Sequence, residues 1–178
     1  MKRLDQLIEL DVISIDAVFS HSAKPSLQRK EKASQMELTK VEVSTLASIV
    51  QSEQMNHSEE WSVIAGLYFN RLQKGIKLQS DPTVVYAWGD FSIKRVYFKH
   101  LKIDSKYNTY KFKGLPPGPI RIPDLKVIDA VLNYKKHDYI FMCAKPEFSG
   151  KHSFATTNSE HQKNAKKYQA FLNENKVR

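Results

Sequence analysis

A single carboxylate closes an apolar helical stripe in the segment Leu46-Ala-Ser-Ile-Val-Gln-Ser-Glu53. Val43, Leu46, Ala47 and Val50 recur at the i, i+3, i+4, i+7 spacing of one helix face. Glu53 lies three residues beyond Val50 and seven beyond Leu46, so a charge continues a face that a helix normally buries. Desolvation disfavours an ionised carboxylate and raises its pKa. A carboxylic acid that keeps its proton near neutral pH can serve as a general acid. The competing reading is a Glu at a helix end that bends out to solvent.

Other polar groups gather in short motifs: Asn70-Arg71, Gln79 with Asp81 and Thr83, Tyr107-Asn108-Thr109-Tyr110, and His152. Each has a structural explanation of its own. Arg71 complements a helix dipole from the last turn, Asp81 is a good N-cap, the tyrosines can be half-buried aromatics, and His152 can be a satisfied strand histidine. Taken together, amides, hydroxyls and aromatic rings around one acid suit a sugar-binding cleft. Nothing suggests a metal or another cofactor. None of the six histidines pairs at ligand spacing, and Cys143 is the one cysteine. The Gly114–Gly118 stretch is locked by prolines and lacks a P-loop Lys. No serine nucleophile elbow is present.

The elements that must carry these groups follow from capping and periodicity. Thr39 and Glu42 form a capping box that opens a helix of about residues 40–54. Ser58 caps a second helix with Trp61, Ile64, Ala65, Tyr68 and Leu72 on one face, and Gly75 ends it. The two should pack as a hairpin. Asp81 as N-cap with Pro82 at the first position starts a shorter helix that Gly89 ends. A loop-rich stretch over 90–123 leads to a helix of about 124–133. Tyr139–Ala144 reads as a buried strand with Cys143 an inert thiol inside it, and His152–Ala155 as its returning partner. Thr157 and Glu160 box a final helix with His161, Ala165, Tyr168 and Leu172 on one face. Before residue 39, Leu7 to Ile13 suggests a short strand or helix, His21–Leu27 a loop, and Arg29–Met36 a charged helix. The class is α+β, mostly helical with a small antiparallel sheet.

The 178 residues suffice for one domain with a real core. The net charge of +9 suits an anionic partner: nucleic acid, a membrane surface or a cell-wall glycan. No nucleic-acid-binding motif accompanies it. No apolar run is long enough to span a bilayer, and no signal-peptide core follows Met1.

Six motifs stand in one order: Leu46-Ala-Ser-Ile-Val-x-x-Glu53, Asn70-Arg-Leu72, Leu78-Gln-x-Asp-Pro-Thr-Val84, Tyr107-Asn-Thr-Tyr110, Gly114-Leu-Pro-Pro-Gly-Pro-Ile120 and Glu160-His161. In this order and spacing the chain resembles the catalytic domain of the endolytic murein transglycosylase family (MltG, or YceG-like), from about Thr39 to Leu172. The resemblance implies a helix-rich α+β catalytic domain over 39–178 with a lysozyme-like active-site helix hairpin. Residues 1–38 would be an N-terminal remnant preceding it, with a LysM-like module as one origin. It implies internal, non-hydrolytic cleavage between N-acetylmuramic acid and N-acetylglucosamine, leaving a 1,6-anhydromuramic end, with one glutamate as acid and then base. Family members usually read Ile-Val-Glu-x-Glu-Thr here, so the first Glu position is Gln51, the second is Glu53, and the Thr position is Gln54. The place of Glu53 on the buried face assigns it the acid.

On this resemblance Gln79, Asn108 and Thr109 would hold the muramyl N-acetyl and hydroxyl groups, and Tyr107 or Tyr110 would stack on a ring. Asp81 and Thr83 would shape the loop, with Asn70 and His152 completing the substrate contacts. The implied partners are peptidoglycan glycan strands and, less directly, cell-wall synthases. The implied location is the cytoplasmic membrane with the domain facing the wall. The rival readings are a two-carboxylate hydrolase using Glu53 and Asp81, and a silent glycan-binding protein.

Overall fold

A computed structural model describes residues 24–176. The expected element at Leu7–Ile13 lies outside them. A first helix, α1 (Lys24–Gln35), starts inside the stretch read as a loop over His21–Leu27. Pro25 does not prevent this, because a first helical turn tolerates proline. Ala33 and Met36 join the same core as the rest of the chain, and Arg29 clasps Asp129 through two hydrogen bonds of 2.8 and 3.0 Å. These contacts tie α1 to the rest of the described chain.

The centre of the molecule is α2 (Lys40–Glu53), opened by the Thr39–Glu42 capping box. Val43, Leu46, Ala47, Ile49 and Val50 are wholly buried, and so are Ser44 and Ser48 on the intervening faces. A hydroxyl inside the core normally needs a partner; Ser44 Oγ has none among the described residues, whereas Ser48 has two. Ser48 Oγ donates to the Thr45 carbonyl (2.7 Å) and accepts the Ile120 N–H (3.0 Å), which ties the Pro-rich 114–120 segment to the helix.

A short 3-10 turn, Ser58–Glu60, leads into α3 (Trp61–Gln73), which returns against α2 as the hairpin expected. Gly66 on α3 permits close approach of the 135–137 segment: a Cβ there would stand 2.4 Å from the Lys135 carbonyl oxygen. α4 (Asp81–Trp88) follows and ends at Gly89 in the left-handed region. α5 (Leu125–Leu132) is amphipathic and buries Val127, Ile128, Val131 and Leu132. The sheet is two antiparallel strands, β1 (Phe141–Ala144) and β2 (His152–Ala155), in register from Phe141 opposite Ala155 to Ala144 opposite His152. α6 (Asn158–Glu174), with its Thr157–Glu160 capping box, lies on this sheet.

Two expectations are corrected here. β1 is half-exposed along its length rather than buried, because one face looks into a cleft. Cys143 therefore lines that cleft, and burial pushes its thiol up, away from a reactive thiolate. No helix among the described residues is long and apolar enough to cross a membrane.

Candidate active site

The cleft has a volume of about 330 Å³ and opens between the α2–α3 hairpin, the start of α4, and the β1–β2 hairpin with α6. Glu53, the last residue of α2, points its carboxyl into it. Two hydroxyls meet one oxygen: Tyr68 Oη donates to Oε1 at 2.6 Å and Ser80 Oγ at 2.5 Å. This leaves Oε2 for a ligand. Burial raises the carboxyl above its ordinary value of 4.5; the Ser80 and Tyr68 hydrogen bonds oppose the shift, and the nearby Asp81 charge adds to it. A carboxyl so placed can give up a proton, and its conjugate base has two hydroxyl donors in place. Burial and the adjacent Glu53 likewise hold the Tyr68 hydroxyl far above its usual range, so it remains a donor.

The raised value has a consequence for stability. A folded state that binds this proton more tightly than the unfolded chain is favoured below about 4.5, and the contribution is lost as pH rises through the folded value. A Glu53→Gln variant cannot ionise. It is expected to melt well above wild type at about pH 8, and the gap should close towards about pH 4. A gap independent of pH would show that the carboxyl is not perturbed.

Ser80 is the N-cap of α4, where the sequence suggested Asp81. Its side chain makes no capping bond because its Oγ is turned to Glu53. Asp81 sits in the first turn and accepts the Tyr110 hydroxyl at 2.5 Å. Burial and that same carboxylate raise the Tyr110 hydroxyl well beyond its usual range. Gln79 adopts a left-handed conformation (φ +53°), uncommon for a residue with a Cβ, and lines the cleft.

The expected contact residues therefore divide. Glu53, Gln79, Asp81, Tyr110 and His152 line one cleft. Asn70, Thr83, Tyr107, Asn108 and Thr109 do not, and build its frame instead. Asn70 donates to the His137 and Tyr139 carbonyls (2.7 and 3.0 Å), holding the approach to β1. Asn108 is wholly buried and donates to the Leu101 and Ile103 carbonyls, both at 2.9 Å. Thr109 accepts the Ser80 N–H (3.0 Å) and pairs with the Thr83 hydroxyl (2.8 Å), which fixes the residue that holds Glu53. Tyr107 is buried against Tyr86. A polar residue needed to satisfy buried backbone looks, in sequence, like one that meets substrate.

Positions 51 and 54 also resolve. Gln51 faces away from the cleft: its amide donates to Asp124 Oδ2 (2.6 Å) and accepts the Asp124 N–H (2.9 Å) at the head of α5. Gln54 donates to Glu60 Oε2 and to the Gly150 carbonyl, both at 2.9 Å, and accepts the His57 N–H, shaping the α2–α3 turn. Glu60 in turn accepts the His152 N–H (3.0 Å) and stands 2.8 Å from its Nδ1. Burial pushes the Glu60 carboxyl up, but the bonds from His152 and Gln54 outweigh it and hold it below the usual range. Glu60→Ala removes the anchor of β2 beside the cleft. It should cost on the order of 2 kcal/mol in denaturant unfolding; an unchanged midpoint would show the anchor to be idle.

Two cleft residues, Tyr68 and Arg71, and the wholly buried Ser80 behind the cleft have roles the sequence reading did not give them. Tyr68 reads from sequence as part of an apolar stripe and Arg71 as a dipole partner, and Ser80 carries no signal of its own beside Asp81-Pro82. Arg71 is buried instead and donates to the Ile140, Lys77 and Leu78 carbonyls at 2.6, 3.1 and 2.7 Å. The position of Tyr68 one turn beyond Ile64 and Ala65, on the helix that returns past Glu53, was the available signal.

A half-buried carboxyl between two hydroxyls, in an open cleft of a helix-rich α+β domain, is an arrangement able to do acid chemistry. The YceG-like family model matches residues 11–167, and the chain belongs to that family. It is 41% identical over 144 residues to a Bacillus subtilis protein named endolytic murein transglycosylase, covering 79% of this chain and 39% of that one. A Streptococcus pneumoniae protein of the same name is 35% identical over 131 residues, covering 71% of this chain and 23% of its own length. The crystal structure of a yceG-like protein from Listeria monocytogenes superposes with a TM-score of 0.67 at 34% identity, over 75% of this chain and 42% of that one. The chain thus spans less than half the length of these relatives.

Proposed function

We propose that this chain carries an endolytic lytic transglycosylase activity, cleaving peptidoglycan strands between N-acetylmuramic acid and N-acetylglucosamine. The observation that supports it best is the Glu53 carboxyl, raised by burial, bonded on one oxygen by Tyr68 and Ser80, and open to a cleft. The name shared by the relatives supplies the substrate class.

Glu53 gives its proton to the glycosidic oxygen as the bond to the muramyl anomeric carbon breaks, and the N-acetylglucosamine hydroxyl departs. Positive charge develops on the muramyl ring beside a carboxylate that Tyr68 and Ser80 stabilise. The ring's own 6-hydroxyl attacks the anomeric carbon, closes the anhydro bridge and returns its proton to Glu53. No water is consumed, and the acid is regenerated. An ordinary glycosidase needs a second carboxylate to activate water or attack the sugar. Asp81, the other carboxylate on the cleft, already accepts the Tyr110 hydroxyl. Gln79 and Tyr110 are the polar and aromatic groups placed to meet sugar rings, and His152 lies on the opposite wall. A membrane-anchored parent protein facing the wall, working beside synthases, belongs to the same reading.

Digestion of purified glycan strands followed by fragment mass analysis tests it. Ends lighter by one water than reducing ends are expected. Reducing ends would establish the hydrolase with Asp81 as partner carboxylate, and intact strands the silent binder.

A further inference from the structure

A second, larger hollow of about 560 Å³ adjoins the cleft, and Asp81 lines both. Ser52, the neighbour of Glu53, borders it too. Its walls are apolar side chains, among them Met55, Val85, Phe91 and Ile93, with Lys94 and Arg121 at hand. Met55 and Phe91 are 66% and 74% exposed, which is costly for such residues unless something covers them. Lys94 and Arg121 are exposed and hold no ion pair among the described residues. The combination of alkyl surface and free cations does not suit a neutral sugar, which wants amides and aromatic faces. It suits a short chain of small apolar side chains bearing carboxylates.

We propose that this groove receives the peptide stem of the muramyl residue being cut, so that the protein prefers peptide-bearing strands. The proposal rests on the glycan-cleaving reading of Glu53. A muramic ring carries its stem through a lactyl ether on the ring itself. When that ring's anomeric bond lies at Glu53, the stem must leave within one sugar's width of the acid, and the groove begins there. The alanine methyls of a stem match Phe91, Ile93 and Val85. Its free carboxylates match Lys94 and Arg121, charge-assisted partners that also draw anions from a distance.

The test compares peptide-bearing glycan strands with the same strands stripped by an amidase, using wild type and a Lys94→Glu/Arg121→Glu double variant. Both positions are exposed, so folding should be preserved, and a thermal melt checks this. Wild type is expected to cut peptide-bearing strands faster by on the order of tenfold. The double variant should lose that preference and cut stripped strands at the wild-type rate. Calorimetry on Glu53→Gln gives a readout without turnover: a disaccharide-peptide should bind more tightly than the bare disaccharide, and charge reversal should erase the difference. Equal wild-type rates on both substrates with anhydro ends present would overturn the groove assignment and leave the cleavage reading standing. Equal slowing of both substrates by the double variant would mean that glycan, not peptide, lies there. Absence of anhydro ends from either substrate would remove the cleavage reading and the stem with it.

Discussion

Replacing Glu53 by Gln is expected to reduce release of anhydro-ended fragments by about a thousandfold or more while the protein stays folded. The amide oxygen can still accept the Tyr68 and Ser80 hydroxyls that meet Oε1. What the variant lacks is a proton to give and a base to take one back. Loss of general acid and general base function together removes both halves of the cycle. Fragment release measured by chromatography, beside circular dichroism of the same sample, separates lost chemistry from lost structure. Activity within tenfold of wild type would exclude Glu53 as the acid.

Arg71→Ala is expected to lower stability by about 3 kcal/mol or more, which for a chain of this size is roughly a 10 °C drop in melting temperature. The guanidinium serves three carbonyls at once, those of Ile140, Lys77 and Leu78. It also lies 5.6 Å from the centre of the Phe141 ring. Truncation leaves buried acceptors unmatched on both sides of the cleft. Arg71→Lys should recover only part of the loss, because an ammonium lacks the planar fork that reaches several acceptors together. Scanning calorimetry of the two variants decides the matter: a lysine variant as stable as wild type would reduce Arg71 to a point charge.

The local elements were legible because their signals are local. Both capping boxes, at Thr39–Glu42 and Thr157–Glu160, formed as read. The apolar stripe from Val43 to Val50 became the central helix, with Glu53 at its end. Legibility stopped where a side chain's partner lies far along the chain. Asn70 meets residues 67 and 69 positions away, and nothing near it announces that its amide holds backbone rather than sugar. Thr83 and Thr109 share this fate, pairing across 26 positions to brace Ser80, whereas Asn108, in an equally visible motif, holds carbonyls only seven and five positions away in the loop over 101–110. Ser80 shows the converse. Its place before Asp81-Pro82 marked a helix start, and only the packing of α4 against α2 turns its hydroxyl to Glu53. Cys143 was misplaced because four half-exposed strand residues carry the same apolar types as a buried strand.

The separation between acid and far wall bears on when the protein becomes competent. Glu53 and Ser80 are 27 positions apart, a closure that a short span of chain completes early, whereas Arg71 reaches Ile140 across 69 positions. A ribosome releasing this polypeptide thus delivers Glu53 first and the opposing strand, with His161 behind it, only later. Until those later residues emerge and dock, the donor has no vault to work in.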